Sequence, residues 1–193
     1  MTESKRLGLV NPEPTQRSPG FKIHRPHYRT WGPKIARFVD TYNSSQWALQ
    51  LLLEGNPKVR AYCEEFPRID EYVHGKRLRH VFSFWVDYGE GPAELIEVVA
   101  RRSLVLNAAG DFEPERWSDK TEWATQNGFR CRYLVKGTGE LKNAVLIENW
   151  AQILPHVQRG LARPNSELAQ RVLGAVRLGQ RGLFRREITL DLD

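Results

Sequence analysis

From Ser44 to Gly55 the chain spaces Trp47, Leu49, Leu52 and Leu53 so that they cover one face of a helix. Ser44 or Ser45 is suited to cap its first free amides and Gly55 to end it. The pattern then becomes β-like and predicts strands at Val59–Phe66, Ile69–Tyr72, Arg77–Asp87 and Ala93–Arg101. His74-Gly75-Lys76 and Gly89-Glu90-Gly91-Pro92 carry the residues of hairpin turns. The second turn lacks the GxxxxGK spacing of a phosphate loop.

Pro114 opens a second predicted helix, which runs to about Asn127 and stops at Gly128. Phe129–Val135 alternates as a strand, a βαβ step that predicts a parallel neighbour in the sheet. Near the C-terminus Leu168, Val172, Leu173 and Val176 form an apolar stripe between a cap at Asn165 or Ser166 and Gly179. Phe184 to Leu192 alternates like an edge strand.

The first 33 residues hold Pro12, Pro14, Pro19, Pro26 and Pro33 among scattered Lys and Arg and show neither period, so they predict an extended arm. Its last part, with His27, Tyr28 and Trp31, is suited to anchor on the core. The expected organisation is an extended basic arm over 1–40, a core over 41–155 and a basic helical extension over 156–193. At 193 residues the chain has room for one sizeable α/β core with appendages.

A formal charge of +6 favours an anionic partner, and nucleic acid is the commonest for a basic soluble protein. Arg171, Arg177, Arg181 and Arg185 cluster in a C-terminal part with few acids and are candidate DNA contacts. No apolar run is long enough to span a bilayer, and the first residues lack the apolar core of a signal peptide, so a cytoplasmic protein is expected. Cys63 and Cys131 lie far apart and predict buried reduced thiols. The five histidines show no HExxH or other close metal-ligand spacing, and no GxSxG elbow occurs. His80, on a strand, reads as a packed core residue.

The segments Asn56-Pro57-Lys58-Val59-Arg60-Ala61-Tyr62-Cys63-Glu64, Phe82-Ser83-Phe84-Trp85-Val86 and Ile96-Glu97-Val98-Val99 resemble the N-terminal nuclease domain of the TnsA family of transposon endonucleases. Pro57, Val59, Tyr62 and Glu64 fall on that family's "DPxVxxYxEQP", Phe84 and Val86 on "PDFxV", and Glu97-Val98 on the last strand's "EV". The resemblance extends over roughly 46–154, including the helix before Phe129 and the Asn149-Trp150 helix. It implies a restriction-endonuclease-like mixed sheet flanked by helices. It also implies a DNA-binding role in transposition, beside a transposase and an ATP-dependent regulator.

The same alignment makes Gln46, Ser83, Glu97 and Val99 the catalytic positions, where the family carries Glu, Asp, Glu and Lys. Hard cations need several oxygen ligands, normally carboxylates, around one point. Only Glu97 keeps its acid, so no resident metal is expected, with magnesium or manganese held partly by Glu97 if the site is active. Arg101 and Arg102 would add positive charge just beyond Val99, with Arg101 on the same strand face, and are candidate DNA contacts. The expected function is therefore a pseudo-nuclease that grips or recruits DNA. An active endonuclease using displaced acids among Glu64, Glu65, Asp87, Glu90 and Glu94 is one alternative. A protein-binding adaptor that docks through Tyr28 and Trp31 is the other.

Overall fold

The computed structural model describes residues 12–15 and 26–162. Among these residues it is a mixed α/β protein with three helices and several sheets. Tyr28–Gly32 (β1) and Arg37–Thr41 (β2) form an antiparallel hairpin inside the stretch expected to be an extended arm. Gly32-Pro33 starts its turn, where a missing N–H costs no ladder bond, and Ala36 takes a positive φ of 50°. Tyr28 stacks on Trp47 with ring centroids 5.1 Å apart, which anchors this hairpin to the next element as the sequence anticipated.

Helix α1 spans Ser44–Gly55. Its cap is Asn43 rather than a serine: the Asn43 side chain accepts from the backbone N–H of Ser45 and Gln46 at 3.1 and 3.0 Å. Leu49, Leu51 and Leu53 are buried, whereas Trp47 and Leu52 are only half-buried.

Ala61–Glu64 (β3), Arg68–Val73 (β4), Lys76–Val81 (β5), Phe84–Asp87 (β6) and Glu94–Val99 (β7) follow. The strand expected over 77–87 is broken at Phe82-Ser83, where the chain changes partner. Val81 pairs with Arg68 of β4, while Phe84 pairs with Glu64 of β3. Opposite the break lie Glu65, with φ 49°, and Pro67, which has no N–H to donate. The β4–β5 hairpin therefore stands as its own two-stranded sheet, closed by His74-Gly75.

After β7 a 3-10 turn, Arg101–Ser103, ends the strand two residues earlier than expected. Leu104–Leu106 (β8) and Phe112–Pro114 (β9) form a small hairpin. Helix α2 then begins at Trp117 rather than Pro114 and runs to Gln126. Arg130–Val135 (β10) pairs parallel with β7, as the βαβ reading predicts.

The central sheet has the order β10-β7-β6-β3 and separates two cores. Phe84, Val86, Ile96 and Tyr62 meet Leu49 and Leu53 of α1 on one face. Trp85, Leu95 and Cys63 meet Trp123 and Ala124 of α2, and Ile69 and Leu78 of the β4–β5 hairpin, on the other. Alternation along each strand produces this division. Each fully buried aliphatic or aromatic side chain contributes about 1.5–3 kcal/mol.

Helix α3, Ala144–Ala162, carries Pro155 within it. One compact unit ends at Trp150, and the remainder from Ala151 is a second. Trp150 seats its indole against Gly55, where an added Cβ would come 2.1 Å from the ring nitrogen. Among the described residues no helix is long and apolar enough to cross a membrane.

Candidate functional site

Glu97 lies on β7 with its side chain on the α2 face of the sheet, in phase with buried Leu95. A lysine and a histidine converge on it from different elements. Lys120 of α2 donates from Nζ to both carboxylate oxygens at 3.2 and 3.1 Å. His80 of β5 brings Nε2 to 3.2 Å from Oε2. That nitrogen makes no aligned hydrogen bond, so the contact is an electrostatic one. All three side chains are mostly buried, at 13%, 9% and 16% exposure for Glu97, Lys120 and His80. Burial pushes the Glu97 carboxyl up, but His80 and Lys120 together outweigh it and leave its pKa below the ordinary glutamate value.

Two walls hold this cluster in register. The β4–β5 hairpin and α2 are joined by Trp123 Nε1 donating to Glu71 at 2.9 Å and by His74, whose ring nitrogens lie 3.2 and 3.0 Å from Asp119 and Glu122. Arg116 adds a donation to the Arg77 carbonyl at 2.6 Å. Between the walls opens a groove of about 560 Å³ lined by Arg77, Arg79, His80, Glu115, Arg116 and Lys120. Its cations are already matched. Asp70 takes Arg77 at 2.6 Å and Arg79 at 3.4 Å, and Asp119 takes Arg116 at 2.6 Å.

The four positions aligned with a nuclease site do not form a cation cradle. Ser83 Oγ accepts from the Val98 backbone N–H at 3.0 Å, which makes it a brace between β6 and β7. Gln46 approaches from the α1 side, accepting from Tyr42 N–H at 3.1 Å and donating to Glu65 at 3.2 Å. Val99 is buried apolar surface. Of the four only Glu97 is an acid, and its oxygens are held by Lys120. These residues do not fit a magnesium or manganese site, and among the described residues no three His, Cys, Asp or Glu side chains converge as metal ligands.

Of the displaced acids proposed from sequence, Glu64, Glu65, Asp87 and Glu94 are engaged elsewhere, Glu65 with Gln46. Glu64 is bound at 2.6 Å by both terminal nitrogens of Arg37, Asp87 lies 3.1 Å from Arg60, and Glu94 accepts from Tyr88 and Arg132. Arg101 and Arg102 are exposed but sit in the 3-10 turn, so Arg101 does not continue the face of β7 as expected. Arg171, Arg177, Arg181 and Arg185 lie outside the described residues.

Sequence reasoning missed Lys120. The signal for Lys120 was present: Trp117, Lys120, Trp123 and Ala124 share one helical stripe, which puts an ammonium on the buried face.

A second groove, of about 930 Å³, lies at the other end of β7, where Glu94 and Arg130 pair. It is lined by Lys58, Arg60, Tyr88, Glu90, Glu94, Arg130 and Arg132 among others. No protein-family model and no curated protein matches the chain.

Proposed function

We propose that the chain is a DNA-binding protein with a restriction-endonuclease-like core whose nuclease centre has been rebuilt as an ion-pair cluster. It acts in the cytoplasm as a TnsA-like subunit of a transposition or other mobile-element system, with a structural or recruiting role beside a transposase and an ATP-dependent regulator. The order α1, β3, β6, β7, α2, β10, with β10 parallel to β7, supports the architecture. The observation that carries the loss of cutting is the Glu97 carboxylate, closed by Lys120 and His80 where an open cation ligand would be needed. Net positive charge supports the choice of DNA.

Supercoiled plasmid incubated with magnesium or manganese tests this reading. The expected result is retention of DNA on a gel without nicking, for the parent and for Glu97→Ala alike. Nicking by the parent that Glu97→Ala abolishes would overturn it.

A second reading, an active endonuclease, has one specific observation in its favour. The Lys120 ammonium stands beside Glu97, supplying from a helix the positive charge that Val99 cannot. Such a charge would stabilise the developing anion of phosphodiester cleavage. This reading requires nicking that Lys120→Met removes while duplex binding is kept.

A further inference from the structure

We propose that the groove at the start of β7 and β10 is the binding site for the DNA phosphate backbone, with Lys58 and Arg130 as its principal phosphate contacts. The inference rests on the DNA-binding reading above and gives it a location. Four cationic side chains, Lys58, Arg60, Arg130 and Arg132, line this groove against the carboxylates of Glu90 and Glu94. Arg60 and Arg132 have carboxylate partners at 3.1 and 3.0 Å. Lys58 and Arg130 are exposed, and among the described residues neither has a carboxylate partner.

Arg130 is nonetheless ordered. Its guanidinium lies 5.7 Å from the centre of the Tyr88 ring, a cation–π contact that fixes the fork without neutralising it. Tyr88 is held in turn by its hydroxyl, which donates to Glu94 at 2.8 Å. The end of α1 beside Lys58 would ordinarily present carbonyl oxygens that repel an anion. Lys34 offsets part of that repulsion by donating from Nζ to the carbonyl of Asn56, which caps that end, and to that of Val59 just beyond it.

The groove beside Glu97 is the poorer candidate, because each of its arginines and Lys120 already has a carboxylate partner that phosphate would have to displace. The larger groove, at about 930 Å³, has room for more than one phosphate and so suits a polymer better than a free ion.

The test is binding of a labelled random-sequence duplex across a salt series, read by fluorescence anisotropy. Lys58→Ala/Arg130→Ala should weaken binding about tenfold and lower the salt slope by about 2, from roughly 0.9 per phosphate contact. Arg68→Ala/Lys76→Ala removes the same formal charge from the exposed face of the β4–β5 hairpin, outside this groove, and should leave the slope near the parent value. Equal losses in the two double variants would mean that bulk charge alone matters and would overturn the site. Unchanged binding in Lys58→Ala/Arg130→Ala, with a parent that binds, would sink the groove but not the DNA-binding reading. A parent that binds no duplex at any salt would defeat both.

Discussion

Lys120 Nζ lies 3.1 Å from Glu97 Oε2, joining α2 to the central sheet through a pair of charges that water barely reaches. Removing one member of such a pair leaves the other buried and uncompensated, which costs about 3–5 kcal/mol, whereas replacing both by apolar groups costs less. Lys120→Met and Glu97→Leu should each lower stability by about 3 kcal/mol. The double variant should fall short of their sum by at least about 1 kcal/mol in urea melts. Strict additivity would show that the pair is not coupled.

Acid should weaken the protein through the same carboxylate. Because the folded-state pKa of Glu97 lies below its ordinary value of 4.5, the folded form releases this proton more readily than the unfolded chain. Its stabilisation is fully present above that ordinary value and is lost as pH falls through the lower folded value. In Lys120→Met burial is opposed by His80 alone, so the folded value moves up toward the ordinary one and the acid-dependent loss should be smaller and complete at higher pH. Melting curves taken between neutral and acid pH would read the displacement, and coincident pH profiles would refute it.

Arg37 and Glu64 form the other buried ion pair, with Glu64 only 3% and Arg37 30% exposed. Arg37 can reach some water once its partner is gone, so Glu64→Ala should cost about 2–3 kcal/mol, below the range for a fully enclosed pair. A fall in Tm of roughly 5–10 °C is expected in calorimetry. No change would mean that β2 and β3 are not held together by this contact.

Asn43 caps two amides of α1, so Asn43→Ala should cost about 1 kcal/mol. Asn43→Ser should recover most of it, because a hydroxyl can accept the same bonds. Failure of serine to rescue would assign the loss to something other than capping.

Burial pushes the thiols of Cys63 and Cys131 up to about 12. Only thiolate reacts quickly with disulfide reagents. A chromogenic disulfide at mildly alkaline pH should therefore leave both cysteines unlabelled in the folded protein and label both in denaturant. Fast labelling of Cys131 without denaturant would contradict its burial.

The parts of this fold legible in the sequence are those governed by local rules. Gly55 ends α1, His74-Gly75 closes β4–β5, and alternation in Phe129–Val135 marks the parallel strand. Asn43 escaped notice because two serines offered equally good capping chemistry one and two residues later. The break at Phe82-Ser83 was hidden because Arg77 to Asp87 holds no Gly or Pro and is rich in β-branched and aromatic residues. The interruption comes from Glu65 and Pro67 on the facing segment, which no window centred on residue 82 contains. At the candidate site, Glu97 was identified from its aligned motif, but its partners come from 17 residues before and 23 after. Spacing along the chain carries no information about such meetings.

Trp150 over Gly55 bears on where this chain can be cut. The indole fills a place at the end of α1 that admits no side chain of its own. A fragment ending before Trp150 would expose the void beneath that ring and lose the cover of α1's last turn. The smallest fragment able to fold by itself should therefore reach at least Trp150, well past the last strand of the central sheet.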